Sequence, residues 1–274
     1  MRIEPTEDPA EFRRRAGAFL SRDPLRHTVI GSVLARLLHG TGETATTFVS
    51  VHEGDAVTGV CMRTRGYGAY LGALPAAAIP ALVELFARRA PDLDGVEGTP
   101  DLAADFARQW TTLHGTDFRQ ESVAVQYRLG ELRVPRTPGT ARRATTSDIE
   151  LCERWMVAMN REVGAGYRPG AAPGRIADGL VWMWERDGVP VSVAGEQPPM
   201  DGWSRIGPVY TPPGARGHGY GSAVTAHASK RLRDSGCEVC LFADAANPTS
   251  NKIYRDIGYR PVREFAHYRF GAVT

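Results

Sequence analysis

Lysine is almost absent: Lys230 and Lys252 are the only ones among 33 basic residues, and the rest are arginine. Against 31 acidic residues this gives a formal net charge of +2. No basic run or reader motif gathers that charge into one stretch, so no nucleic-acid partner is expected. Cysteine is scarce as well, with only Cys61, Cys152, Cys237 and Cys240. Cys237 and Cys240 form a C-x-x-C, but no second cysteine or histidine pair stands at zinc spacing and the histidines are scattered. The pair therefore reads as strand residues, and no metal site is expected. Long apolar runs are missing too. None reaches the ~18 residues of a membrane span, and no secretory apolar segment follows Met1, so the expectation is a cytoplasmic protein without a membrane partner.

What is present is core material. Hydrophobic residues make up 42% of 274 positions and charged residues 23%. A length of this order suggests two domains at ~150 residues each. Residues 1–132 read as a first half, with helices over Pro9–Leu20 and Leu25–Leu38 and a hairpin of Thr46–Val51 and Ala56–Thr64. Helices over Ala76–Arg89 and Asp101–His114 and a strand over Phe118–Leu129 complete it. Residues 133–140, with two prolines, a glycine and no apolar period, read as a linker.

Residues 141–274 read as a second half that repeats the order of the first. Ser147 and Glu150 suggest a capping box for a helix running to about Val163. A Gly/Pro-rich loop over Gly164–Gly174 follows, then a hairpin of Leu180–Arg186 and Val189–Glu196 across Asp187-Gly188. After the Trp203–Ser235 stretch come a strand over Glu238–Asp244, a helix over Pro248–Ile257, and a closing strand pair around Arg260–Phe270.

The Trp203–Ser235 stretch organises this second half. A β-rich run ends at Pro212-Pro213, which cannot donate to a ladder. Arg216-Gly217-His218-Gly219-Tyr220-Gly221-Ser222 follows, and Tyr220, Ala223, Val224, Ala228 and Leu232 then form a helical stripe closed by Gly236. Strand, glycine turn and helix start make an anion site, because the first helical N–H groups lack intrahelical partners and the dipole there is positive. A nucleotidase P-loop needs lysine where Tyr220 stands, and a dinucleotide fingerprint needs glycine where Ser222 stands, so both are excluded. The remaining pattern, Arg-x-x-Gly-x-Gly after a strand end, resembles the pyrophosphate loop of the Gcn5-related N-acetyltransferases.

A second motif agrees. In Asn247-Pro248-Thr249-Ser250-Asn251-Lys252-Ile253-Tyr254-Arg255-Asp256-Ile257-Gly258-Tyr259, the positions Asn247, Ser250, Tyr254, Gly258 and Tyr259 match the family's coenzyme motif. Asn247 also suits an N-cap and Pro248 the first helical position. The resemblance covers about the last 135 residues well and the first half only faintly.

The resemblance implies an α/β (α+β) fold of two GNAT-like domains, each a mixed, mainly antiparallel sheet flanked by helices. The loop before Ala76 lacks the Arg-x-x-Gly-x-Gly pattern, so the first domain is expected to be degenerate and to hold no second coenzyme. Its use is either a dimer-like contact between halves or the shaping of an acceptor pocket.

By the same resemblance, acetyl-CoA is the cosubstrate and a primary amine the acceptor, with direct transfer in a ternary complex. The backbone of Val209, Tyr210 and Thr211 would meet the pantetheine arm, with a bulge at Gly207-Pro208. Arg216, Gly217, His218, Gly219, Tyr220, Gly221 and Ser222 would hold the pyrophosphate. Asn247 and Asn251 would bond near the pantetheine, and Tyr254 would protonate the departing thiolate.

Acyl transfer to an amine also needs a route for the amine's proton. Glu196 is the first candidate for that base and Glu162 the second. Trp182, Trp184 and Trp203, with Tyr167, either line an acceptor groove or belong to the core. The acceptor is left open among a small amine, an amino acid, an amino sugar, an antibiotic and a peptide amine, and the protein is expected as a monomer or homodimer. The alternative is an acyl-CoA-binding sensor or structural module without turnover.

Overall fold

A computed structural model describes residues 1–40, 45–163 and 170–271, the side chain of residue 163 apart. In chain order the elements are β1 (Arg2–Thr6), α1 (Pro9–Leu20), α2 (Thr28–Leu38), β2 (Thr46–Glu53), β3 (Ala56–Thr64), β4 (Ala69–Leu71), α3 (Ile79–Arg89), β5 (Gly95–Gly98), α4 (Pro100–His114) and β6 (Phe118–Leu129). Then follow β7 (Thr140–Arg143), α5 (Ile149–Val163), α6 (Ala172–Ala177), β8 (Val181–Arg186), β9 (Val189–Glu196), β10 (Trp203–Tyr210), α7 (Tyr220–Asp234), β11 (Glu238–Asp244), α8 (Pro248–Asp256) and β12 (Tyr259–Phe270). The chain divides into two compact units: Met1–Gln126 with Asp244–Ala246 and Val262–Thr274, and Tyr127–Ala243 with Asn247–Pro261.

In the first unit the sheet runs β1-β2-β3-β4-β5-β12. All pairs are antiparallel except the parallel β4·β5 pair. The apolar stripe read on residues 76–89 packs Ile79, Leu82, Val83 and Phe86 into one core with Phe106 and Trp110 of α4 and with Val49, Val51 and Leu71 of the sheet. Burial of such side chains, each worth ~1.5–3 kcal/mol, is what holds the helices to the sheet.

In the second unit the sheet runs β11-β10-β9-β8-β7, with only β10·β11 parallel. One face packs against α5 and α6 through Cys152, Trp155, Met156, Ile176, Met183, Val193 and Tyr210. On β8 the alternation of strand side chains turns Trp182 the other way, to α7, where its ring meets His227 edge-on at 4.5 Å. Both units are thus mixed, mainly antiparallel sheets flanked by helices.

Several sequence expectations need correcting. The helix entry at residue 149 is capped by Thr145 and Asp148, not by Ser147 and Glu150: the Asp148 side chain reaches back to accept from the Thr145 N–H at 2.7 Å, and the Thr145 side chain accepts from the backbone of Asp148. Asp148 wins because it is also clamped by Arg142, at 2.7 and 2.9 Å, whereas Glu150 points along the helix to Arg154. The expected loop over Gly164–Gly174 lies outside the described residues for 164–169, and Ala172–Ala177 is a short helix that Pro173 starts.

The closing strand pair is one continuous strand, β12, which runs through Pro261 without a break near its start. Four short strands, β1, β4, β5 and β7, went unread. β4 and β5 have too few residues to show a period of two.

Candidate active site

The parallel ladder between β10 and β11 runs from Trp203↔Glu238 to Ile206↔Leu241 and stops, although β10 continues to Tyr210 and β11 to Asp244. Beyond Ile206 that edge of β10 is unladdered. On its other side β10 stays paired with β9, but the register shifts between Ile206↔Glu196 and Val209↔Ala194. Gly207 and Pro208 therefore stand opposite the single residue Gly195, the bulge expected from the sequence.

Three residues that sequence reasoning missed fix this bulge. Arg175 of α6 donates from Nη2 to the carbonyls of Glu196 and Gly207, both at 3.0 Å. Gln197 Nε2 donates to the same Gly207 carbonyl at 2.9 Å. Gly195 leaves the space this requires, since a Cβ there would overlap the Arg175 guanidinium. The signal for them was faint. Arg175 directly follows the Gly164–Gly174 stretch whose prolines and glycines read as loop, and only the Gly-Pro pair in the facing strand hints at a bulge needing support.

After Tyr210 the chain turns through Pro213–Ala215 and reaches α7 with Gly217 at φ 82° and Gly219 at φ 79°. Those angles are strained for side chains with a Cβ, which is why glycine stands at the N-cap. No side chain caps this helix, so its first N–H groups are offered by backbone alone, at the positive end of a dipole built by 15 residues. Gly221 lies beside Thr211. The Thr211 hydroxyl is hydrogen-bonded to buried Ser192 at 2.8 Å, and Ser192 also donates to the Tyr210 carbonyl. His218 stacks on Tyr220 at 5.4 Å and donates from Nδ1 to the Arg216 carbonyl. The loop is braced before any anion arrives.

Arg216 is half-exposed and tied down. It donates from Nε to the Thr211 carbonyl at 2.9 Å and from Nη2 to both Glu162 oxygens, at 2.9 and 2.7 Å. Tyr210 donates its hydroxyl to the same Glu162 at 3.1 Å, and burial together with that carboxylate pushes the phenol's pKa up. Glu162, the second candidate base, is therefore a hub linking α5 to the loop.

Tyr254 and Asn251 lie on α8. Asn247 caps the helix by accepting from the Ser250 N–H at 3.0 Å. Asn251 is buried; it donates to the Asn247 carbonyl at 2.7 Å and accepts from the Tyr127 hydroxyl at 2.7 Å. Tyr127 is a further residue the sequence reading did not single out.

Tyr254 is 9% exposed and packs between the rings of Tyr127 and Tyr259. Burial pushes its hydroxyl up to about 12. Among the described residues that hydroxyl makes no hydrogen bond, unlike the Tyr259 hydroxyl, which pairs with Ser229 at 2.8 Å. A protonated, protein-unpaired donor is thus presented by α8.

Glu196 lies on the α7 side of the sheet, 6% exposed, and accepts from Trp182 Nε1 at 2.7 Å. Burial raises its pKa, opposed by the Trp182 bond and by Arg143 and Arg231. Those two guanidiniums stand over the Trp182 ring at 4.5 and 5.6 Å. The named partners of Glu196 and of Tyr254 do not overlap. The tryptophans are not one groove: Trp182 faces α7, Trp184 donates to the Pro138 carbonyl, and Trp203 carries Arg128 over its ring. Tyr167 lies outside the described residues. Among the described residues no group of His, Cys, Asp and Glu could hold a metal ion, and all four cysteines are unbridged. No described helix is long and apolar enough to cross a membrane.

Residues 150–259 match the model of the acetyltransferase (GNAT) family. No curated protein matches by sequence. Among solved structures, an acetyltransferase of the GNAT family from Colwellia psychrerythraea is 12% identical, with a TM-score of 0.62 over 98% of this chain and 100% of that one. A GCN5-related N-acetyltransferase from Kribbella flavida is 20% identical, with a TM-score of 0.58 over 91% and 94%. A tandem GNAT protein from the clavulanic acid biosynthesis pathway is 13% identical, with a TM-score of 0.59 over 98% of each chain. The fold likeness extends through both units. The match takes in the glycine turn, the unladdered edge of β10 and Tyr254, so that residues 150–259 are identified as an acetyltransferase (GNAT) domain.

Proposed function

We propose that this protein is an N-acetyltransferase that moves the acetyl group of acetyl-CoA to a primary amine by direct transfer in a ternary complex, with residues 141–274 catalytic and 1–132 a degenerate GNAT-like domain. The observation that carries the reading is the β10 edge left without a ladder partner after Ile206, immediately before an uncapped helix start. An extended amide-bearing arm can pair with such an edge while its phosphates meet the helix N–H groups.

The residues present fit that guest. Gly217 and Gly219 hold the backbone in the left-handed region where a side chain would stand in the way, and Gly221 and Ser222 continue the cradle. Arg216, His218 and Tyr220 brace it. The backbone of Val209, Tyr210 and Thr211 continues past the end of the parallel ladder, and Asn247 and Asn251 hold the start of α8. Acetyl-CoA supplies the acetyl thioester.

Tyr254 holds a proton at neutral pH, since its pKa stands well above 7, and its hydroxyl donates that proton to the leaving sulfur. Glu196, whose burial raises its proton affinity, is the base that takes the amine's proton through water. The acceptor is a small-molecule or peptide amine, and the setting is the cytoplasm, as monomer or homodimer. The reading is tested by assaying thiol release from acetyl-CoA across a broad amine panel, with Tyr254→Phe in parallel. Turnover with at least one amine, reduced ~10²-fold or more in the variant, supports it. Tight acetyl-CoA binding without turnover on any amine would instead indicate a sensor.

A further inference from the structure

The glycine turn carries a single arginine, and the fold has already given that arginine a counterion. From Thr211 to Ser222, Arg216 is the only residue among Arg, Lys, Asp and Glu. His218 turns its Nδ1 to the Arg216 carbonyl, within the turn itself. The Arg216 guanidinium meets Glu162, which comes from the far end of α5: Nη2 lies 2.9 and 2.7 Å from the two carboxylate oxygens. The fixed positive charge of the turn is therefore neutralised before any anion arrives.

The bonds around this pair are unequal in what they hold. Arg216 Nε donates to the Thr211 carbonyl at 2.9 Å, which anchors the arm near its base and makes no use of Glu162. Glu162 has a second donor, the hydroxyl of buried Tyr210 at 3.1 Å. That phenol is itself fixed, with Trp155 6.4 Å from its ring and the Arg216 guanidinium 5.7 Å above it. If Arg216 is drawn away, Glu162 keeps the Tyr210 hydroxyl and gains water. Both partners are open to this exchange, because the side chains of Arg216 and Glu162 are 47% and 41% exposed. An ion pair so exposed contributes little to stability and is readily broken.

A diphosphate carries a negative charge on each phosphate, and a guanidinium forks onto phosphate oxygens as well as onto a carboxylate. A monoanion offers Arg216 no more charge than Glu162 already supplies. We propose that Glu162 sets the donor selectivity of the glycine turn by competing for Arg216, holding the guanidinium in the free protein and yielding it to the coenzyme's diphosphate. The inference rests on the coenzyme reading above and adds to it a residue that lies outside both sequence motifs. Glu162 acts through Arg216, as a positioning residue and not as the base.

The test is calorimetric titration of coenzyme A into the full-length wild type, Glu162→Gln, Arg216→Gln and the double variant, with Glu162→Ala as a second way to remove the carboxylate. Glu162→Gln should bind about threefold to fivefold more tightly than the wild type, the worth of an exposed ion pair that binding no longer has to break. Arg216→Gln should bind more weakly, and Glu162→Gln should bring no gain in the Arg216→Gln chain. Loss of a merely structural brace weakens binding, so equal or weaker binding by Glu162→Gln overturns the exchange. A gain that persists without Arg216 also overturns it, because the carboxylate then acts on the phosphates directly. If coenzyme A does not bind the wild type, the coenzyme reading fails by itself. Inorganic pyrophosphate then reads the exchange on the same four proteins with the same expected order, and absence of pyrophosphate binding overturns the exchange as well.

Discussion

Arg175 and Gly207 are joined by a hydrogen bond of 3.0 Å from guanidinium to carbonyl, and that bond reaches from the short helix α6 to the bulge of β10. Because the same guanidinium also holds the Glu196 carbonyl, one side chain sets both the end of β9 and the point where β10 leaves its ladder. The edge proposed to receive the coenzyme arm is thus shaped from outside its own strand.

Replacing Arg175 with alanine should lower kcat/KM for acetyl-CoA by about tenfold to a hundredfold, the worth of one charged hydrogen bond at ~1.5–3 kcal/mol. Arg175→Lys should recover part of the loss by keeping one contact. Gly195→Ala should behave like Arg175→Ala, because its Cβ expels the guanidinium. Steady-state kinetics on the three variants checks this; an alanine variant with unchanged kinetics would remove Arg175 from the account.

Asp148 should make the second unit sensitive to acid. Its hydrogen bonds to Arg142, and then to Thr145, hold its carboxyl down at about 2 against burial, below its ordinary value near ~3.9. A carboxylate whose folded pKa is depressed contributes stability that is present above its unfolded pKa and lost as pH falls through the folded one. That contribution is about 2 kcal/mol, disappearing between roughly pH 5 and pH 2. Urea unfolding at several pH values should show the slope in the wild type and not in Asp148→Asn, which should be less stable at pH 7 by a similar amount.

Glu196 carries the opposite sign. Burial raises its pKa, so protonation favours the fold, and that contribution is present below the unfolded value and lost as pH rises through the folded one. Glu196→Gln should therefore unfold no more easily than the wild type at pH 7. Its acetylation rate should fall ~10²-fold, and the acidic limb of the kcat/KM profile should vanish, because the base must be ionised to act. A retained acidic limb would mean that another group titrates there.

Much of this was legible in the sequence. The α3 and α4 stripes, the glycine turn and the Asn247-Pro248 helix entry each follow from a local rule, and α1, β3, β6 and β11 start and stop where residue type predicts. What could not be read are features made by contacts distant in sequence. Arg142 selects Asp148 over Glu150 for the cap. Tyr127, far from α8 along the chain, engages Asn251. The open edge of β10 is a statement about two strands, and no periodicity within either one encodes where their pairing ends.

The most direct measurement is calorimetric titration of acetyl-CoA into the wild type and into Gly219→Val. Gly219 holds φ 79°, beside Thr137, at the N-cap of α7. A β-branched side chain there both strains the turn and blocks approach to the first helical N–H groups. Coenzyme binding at the glycine turn requires saturable binding by the wild type and a dissociation constant weakened at least ~tenfold in a variant whose circular dichroism shows it folded, about 1.4 kcal/mol of lost binding. An unchanged dissociation constant in the folded variant, or no binding by the wild type, would contradict it.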